Sequence, residues 1–174
     1  DVQVLKNVHY RQYDTYFQFA DPSQGRLRYR EDDFVDDKGE VQSVRSRLTL
    51  TMPTKERAFN SSVLLSHSRF IADADRPLRF YREYFQPERV VEVHKSRRRF
   101  HIRYEGTDFA INFDRILKPP SGGSFLEIKS RTWSLQDAKR KAALISELLE
   151  RLDIPETALV KAEYLDLATR RQTS

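Results

Sequence analysis

The sequence predicts an α+β fold in which a run of strands is followed by a helix that covers them. Three observations carry this prediction. Four separate stretches alternate with period two and put basic residues on one face: Arg26, Arg28 and Arg30; Arg45 and Arg47; Lys95, Arg97, Arg99 and Arg103; Lys129 and Arg131. Around Arg45 and Lys129 the opposite face is apolar, with Leu48 and Leu50 in one and Leu126 and Ile128 in the other. From Ser134 to Leu152 the period changes to that of a helix, with one apolar stripe.

In order, Val2–Lys6 is a short apolar alternation and Tyr10–Phe19 an aromatic-rich strand. Asp21-Pro22-Ser23-Gln24-Gly25 has turn chemistry. Arg26–Glu31 is a strand, Asp32–Gly39 reads as an acidic loop, and Val44–Thr51 is a strand that Pro53 ends. Phe59–Phe70 follows as a strand. Asp75–Phe85 fits a short helix with Pro77 in its first turn. Val91–Tyr104 is the longest basic strand. Asp108–Ile116 places Phe109, Ile111 and Phe113 opposite Asp108, Asn112 and Asp114. Ser124–Thr132 is a strand after a Pro- and Gly-rich loop. Ser134 caps the main helix, with Asp137 three residues on as a near capping box, and Pro155 stops it. A last short helix is predicted over Leu159–Ala168.

The chain has 174 residues, enough for one domain with a core, and the reading is of a single domain over 1–174. Its net charge of +5 favours an anionic partner. The 11 Phe and 8 Tyr set it apart from a disordered composition. Absence of cysteine excludes disulfides and thiolate metal sites and fits a cytoplasmic setting. No apolar run has the length of a membrane span. The chain begins at Asp1 without an initiator Met, so it is expected to be part of a longer protein whose other domains are potential partners.

Neighbours on one face of a strand stand about 6.5–7 Å apart. Two like charges at that distance repel by roughly 0.6 kcal/mol in water and about 2.4 kcal/mol at an effective dielectric of 20. The row Lys95, Arg97, Arg99, His101 and Arg103 is therefore either an exposed edge strand guarded by charge or a wall that an anion comes to meet. Two architectures follow. One is a sheet with charged solvent faces. The other is a barrel with a polar interior and helices outside, which gives the Ser134 helix an apolar surface to cover.

Several tracts, in order, resemble the CYTH group, the triphosphate tunnel metalloenzymes that include thiamine triphosphatases, inorganic triphosphatases and class IV adenylate cyclases. They are QYDTYF (12–17), LRYR (27–30), RLTLTMP (47–53), KSRRRF (95–100), NFD (112–114), FLEIKS (125–130) and EYLDL (163–167). The resemblance implies a closed, antiparallel eight-stranded β-barrel, with basic side chains inside gripping a triphosphate and acidic ones holding Mg2+ or Mn2+. Arg28 and Arg30 match the family's phosphate-gripping arginines, and Lys95 and Arg97 its later Lys-x-Arg pair. Asp114 matches an inward acid, and Glu127 the first glutamate of the metal-binding Glu-x-Glu. With Arg45, Arg47, Lys129 and Arg131 on the same rows, the expected phosphate site is Arg28, Arg30, Arg45, Arg47, Lys95, Arg97, Lys129 and Arg131. The expected metal and catalytic pair is Glu127 and Asp114.

The sequence also departs from the pattern. Val2 and Val4 stand where the glutamates of a first Glu-x-Glu-x-Lys strand belong, Thr51 replaces a lysine, RAFNS (57–61) replaces an Arg-x-Glu-x-Glu strand, and Lys129 replaces the second glutamate. An E-x-K at that last place is similar to related polyphosphate-polymerase tunnels. The resemblance thus implies divalent-metal-dependent hydrolysis of a triphosphate, inorganic or on a nucleoside or thiamine. The alternative is a degenerate tunnel that binds polyphosphate or nucleotide as a sensor. RNA binding is a lesser alternative, since basic strands with interleaved aromatics also suit it, but no nucleic-acid signature supports it and nucleic acid is not the expected partner. His9, His67, His94 and His101 lack metal spacing. Trp133 is expected to be a packing anchor, and the acidic loop a solvated turn.

Overall fold

In the computed structural model, residues 1–52, 69–120, 123–160 and 162–172 are described. Among them the chain forms one antiparallel sheet of seven strands and three α-helices. The strands are β1 (Gln3–Gln18), β2 (Arg26–Val35), β3 (Val41–Thr51), β4 (Arg69–Asp73), β5 (Arg89–Tyr104), β6 (Thr107–Lys118) and β7 (Ser124–Lys129). The helices are α1 (Leu78–Phe85), α2 (Leu135–Arg151) and α3 (Tyr164–Gln172). Strand order is β4-β3-β2-β1-β5-β6-β7.

The α+β class holds, while a closed eight-stranded barrel is not what the described residues form. Their sheet has edges at β4 and β7. One reason is that the two tracts expected as separate strands, Val2–Lys6 and Tyr10–Phe19, are a single strand, β1. It pairs with β5 from Gln3 to Gln18, with a register shift between Val4 and Lys6. Another is that the strand expected over Phe59–Phe70, with Arg57 and His67, lies outside the described residues in all but its last positions. β5 is no guarded edge. It lies between β1 and β6 and is the longest strand with β1. It turns into β6 through Glu105 and Gly106, both at positive φ (46° and 66°), as a tight hairpin between right-twisted strands requires.

The side chains sort by parity. One face is apolar and is covered by two helices. α2 packs Leu144 and Leu148 on Ile102, Tyr104, Phe109 and Ile111. α1 packs Tyr81 on Phe17, Leu27 and Tyr29. Ser134 caps α2 as expected, its hydroxyl accepting from the Asp137 amide at 3.1 Å. Leu135 and Leu152, at the two ends of the apolar stripe, are exposed. Trp133 is not a packing anchor, being 83% exposed.

The opposite face is polar, and α3 sits on it. Leu165 and Ala168 join Tyr16, Val91, Val93 and Ile116 in a small apolar cluster at one end of that face. So the helices are not all outside. The final helix also starts later than Leu159, because Pro155 opens a 3-10 turn over Glu156–Ala158. Asp166 then accepts from the Glu163 amide at 3.2 Å, which fixes the start of α3.

Candidate functional site: a cationic sheet face

The pairing register brings together what the sequence spaces far apart. Tyr10, Gln12 and Asp14 of β1 stand across from Phe34, Asp32 and Arg30 of β2. Arg30, Asp32 and Arg28 stand across from Arg47, Arg45 and Thr49 of β3. On the other side Lys95 and Arg97 of β5 flank Gln12 and Tyr10. Arg97 and Arg99 pair across to Asp114 and Asn112 of β6, and Asn112 to Glu127 of β7. Eight cations (Arg28, Arg30, Arg45, Arg47, Lys95, Arg97, Arg99 and Lys129) thus share the middle of one face with four carboxylates (Asp14, Asp32, Asp114 and Glu127), and Asp73 joins them from the exposed β4 edge. The face carries more positive charge than its own acids neutralise.

Each carboxylate is already engaged. Asp14 is fully buried, and Arg30 grips it through Nε (2.5 Å) and Nη2 (2.7 Å). Lys95 Nζ adds a third contact at 3.3 Å. Burial works against the Asp14 carboxylate, but Arg30, Lys95 and Arg28 outweigh it and hold the group well below the ordinary range. Asp32 accepts from Gln12, from Arg45 (2.9 Å) and from Arg47 (3.0 Å). Arg97 forks onto both oxygens of Asp114 and reaches Glu127 Oε2 at 3.1 Å. Tyr164 of α3 donates to Asp114 Oδ2 at 2.5 Å, and its ring lies 4.3 Å from the Lys95 ammonium. Asn112 (3.0 Å) and Lys129 (2.7 Å) complete the shell of Glu127. Against its burial, Lys129 and Arg97 hold Glu127 down to about 2.

Two guanidiniums keep donors to spare. Arg28 Nε and Arg47 Nε are buried and have no hydrogen-bond acceptor. Arg28 touches Thr49 through Nη2 at 3.3 Å and stands 3.7 Å from Asp14, too far to bond. A buried donor without an acceptor costs about 1–3 kcal/mol, and more when charged. An anionic oxygen would satisfy both.

The expected site residues are therefore gathered, with one exception. Arg28, Arg30, Arg45, Arg47, Lys95, Arg97 and Lys129 share the face. Arg131 lies beyond the end of β7 and is exposed, because the strand stops at Lys129. The face also holds Asp14 and Asp32, which the sequence reading does not include. Asp14 was available within the QYDTYF tract. Asp32 was hidden in an acidic run that reads as a solvated loop, whereas β2 continues through Val35 and buries it completely.

Glu127 and Asp114 do come together, around Arg97. As the structure stands, neither carboxylate is free for a Mg2+ or Mn2+ ion. Such an ion wants near-octahedral oxygen ligands. Among the described residues no three Asp, Glu or His side chains gather to hold one. The oxygens of this pair already face Arg97, Tyr164, Asn112 and Lys129.

No family model and no curated protein matches the chain. Solved structures do. A Pyrococcus horikoshii protein superposes with a TM-score of 0.70 at 18% identity, covering 94% of this chain and 86% of its own. A candidate adenylate cyclase from Vibrio parahaemolyticus gives 0.63 at 12% identity, over 97% and 85%. A conserved hypothetical protein from Pyrococcus furiosus gives 0.59 at 17% identity, over 96% and 86%. What is shared is the fold. It spans nearly the whole of each chain, at sequence identities of 12–18%.

Lys95 gives the face a pH dependence. Burial is the main cause that pushes its ammonium down to about 7; Asp14 opposes the shift, and Arg30 and Arg97 add to it. Above that value the folded protein holds fewer protons than the unfolded chain, whose lysine titrates near 10.5, so this group makes stability rise with pH between the two. Attraction for an anion would run the other way, because neutral Lys95 no longer attracts. With tripolyphosphate as a probe of the face, any affinity should fall roughly tenfold as pH rises through neutrality, the worth of one charge-assisted contact. Titration calorimetry on both sides of neutrality measures it. The Lys95→Arg variant, whose charge does not titrate, should retain only the ligand's own pH dependence.

Proposed function

We propose that this chain is a divergent CYTH-type domain whose cationic face binds a linear polyphosphate, either tripolyphosphate or the triphosphate of a nucleotide or thiamine. The observation that carries the reading is the pair of buried, acceptor-less donors on Arg28 and Arg47, set in a face where cations outnumber carboxylates. Guanidinium forks suit phosphate oxygens, which accept two parallel N–H bonds. The fold likeness, which includes a protein named as a candidate adenylate cyclase, agrees with a triphosphate-bearing ligand.

Binding, rather than hydrolysis, is the activity the donor set supports. Breaking a phosphoanhydride needs charge neutralisation and a positioned water, for which this superfamily enlists a divalent ion. Here the carboxylates that would hold one are bonded to Arg97. The role is that of a sensor or regulatory module for polyphosphate.

The test measures binding and turnover together. Tripolyphosphate, ATP and thiamine triphosphate are titrated into the protein, and phosphate release is followed with Mg2+ or Mn2+ added. Micromolar binding of at least one of them without release is the expected result. Glu127→Ala should bind as tightly or more tightly, since it removes a negative charge beside the phosphates. Metal-dependent release that Glu127→Ala abolishes would replace the sensor with a triphosphatase. No binding of any of the three would end the proposal.

A further inference from the structure

Among the described residues, the apolar face of the sheet is not covered throughout. α2 lies over the end of β5 and β6 that carries Ile102 and Phe109, and α1 over Phe17, Leu27 and Tyr29. Between the two helices, β1, β5 and β6 present a different set of side chains. Cross-strand rows there read His9, Arg98 and Phe113; then Arg11, Ser96 and Arg115; then Tyr13, His94 and Lys118. Arg11, Arg98, Arg115 and Lys118 are exposed, and Phe113 is 46% exposed.

This patch is separate from the phosphate site, because its residues have the opposite parity on the same strands, save Lys118, which the register shift between His94 and Lys95 brings beside His94. Its cations are largely uncommitted. Arg98 and Arg115 form no ion pair among the described residues. Arg11 donates to the Gly39 carbonyl at 2.9 Å and keeps its charge. Lys118 alone is neutralised, by Glu92 at 2.5 Å. Asp33 and Glu31 of β2 border the patch beside Arg11 and Tyr13 and limit it on that side. Between the cations lie flat rings: Phe113, Tyr13 edge-on to His94 at 5.1 Å, and His9 held by Ser96 at 2.9 Å.

We infer that this uncovered patch binds single-stranded nucleic acid. Guanidiniums interleaved with rings on neighbouring strands match a chain that alternates phosphates with bases. The cations follow the backbone, and the rings offer stacking platforms to any base. An acidic peptide would use the charges but leave the rings without partners. The basic balance of the chain, with a pI near 9.5, agrees.

The experiment is fluorescence anisotropy of a labelled short oligouridylate, with the whole chain, at several salt concentrations and with saturating tripolyphosphate. The inference expects binding that weakens steeply with salt and survives tripolyphosphate. The double variant Arg98→Glu/Arg115→Glu should weaken it at least tenfold and Phe113→Ala about fivefold or more, while both keep the parent affinity for tripolyphosphate and the double variant keeps the parent melting temperature. Oligouridylate that tripolyphosphate displaces, or that binds the double variant as well as the parent, overturns the inference by placing the nucleic acid on the polar face. No oligouridylate binding overturns it outright. Variant-sensitive binding of anionic lipid vesicles in place of the oligonucleotide would make the patch a membrane contact.

Discussion

Asp14→Ala should destabilise the protein by about 3–5 kcal/mol, the cost of breaking a buried ion pair from one side. Asp14 has no exposure, and it alone holds Arg30 through two bonds and touches Lys95. Removing it leaves two buried cations facing each other and Arg28 in a low-dielectric site. Urea unfolding reads the loss as a lower midpoint at unchanged slope. A shift under about 1 kcal/mol, the range of an exposed pair, would mean that Arg30 and Lys95 reach water on their own. Saturating tripolyphosphate should restore much of the lost stability, because it supplies the missing negative charge. Acid acts in the same direction as the substitution. The folded Asp14 carboxyl titrates below its unfolded value, so its contribution is present above the unfolded value and is lost as pH falls through the folded one.

Arg28→Ala/Arg47→Ala should act the opposite way, on binding more than on stability. Their Nε donors are the ones without acceptors, whereas Arg30 and Arg97 are already spent on Asp14 and Asp114. Each charge-assisted bond to phosphate is worth about 1.5–3 kcal/mol, so losing two should weaken tripolyphosphate at least a hundredfold, at tenfold per 1.4 kcal/mol. The unliganded variant should lose less stability than Asp14→Ala, because Asp32 keeps Arg45 and Gln12 and Asp14 keeps Arg30 and Lys95. Calorimetry checks the first and urea unfolding the second. An affinity within threefold of the parent would show that the phosphates sit elsewhere on the face.

Much of this face was legible in the sequence, because alternation is a local signal. The parity of Lys95, Arg97 and Arg99, of Arg28 and Arg30, and of Arg45 and Arg47 follows from spacing alone, and the strands obey it. Which cation meets which acid was not legible. Asp14 and Arg30, or Lys95 and Asp14, meet only through pairing between strands distant in sequence. Asp32 was misjudged because acidic composition argues for solvent, and its burial depends on Arg45 and Arg47 from the next strand. The place of α3 was misjudged because an amphipathic helix ordinarily seeks the apolar face. On the polar face Leu165 and Ala168 find the cluster of Tyr16, Val91, Val93 and Ile116, and Tyr164 bonds Asp114. The patch of Arg98 and Arg115 was invisible for a related reason. Its rows run across strands, and no single strand carries more than a fragment of it.

If the polar face binds polyphosphate as proposed, its imbalance between cations and carboxylates bears on the life of the protein in a cell. Without an anion, the face repels itself, and the fold bears that strain continuously. With one present at a hundred times its dissociation constant, mass action adds about 2.7 kcal/mol to the folded state. A difference of that size changes the fraction of chains open to proteases by about a hundredfold. The amount of this protein would then follow the supply of polyphosphate: turnover of the chain itself would report how much of the anion is at hand.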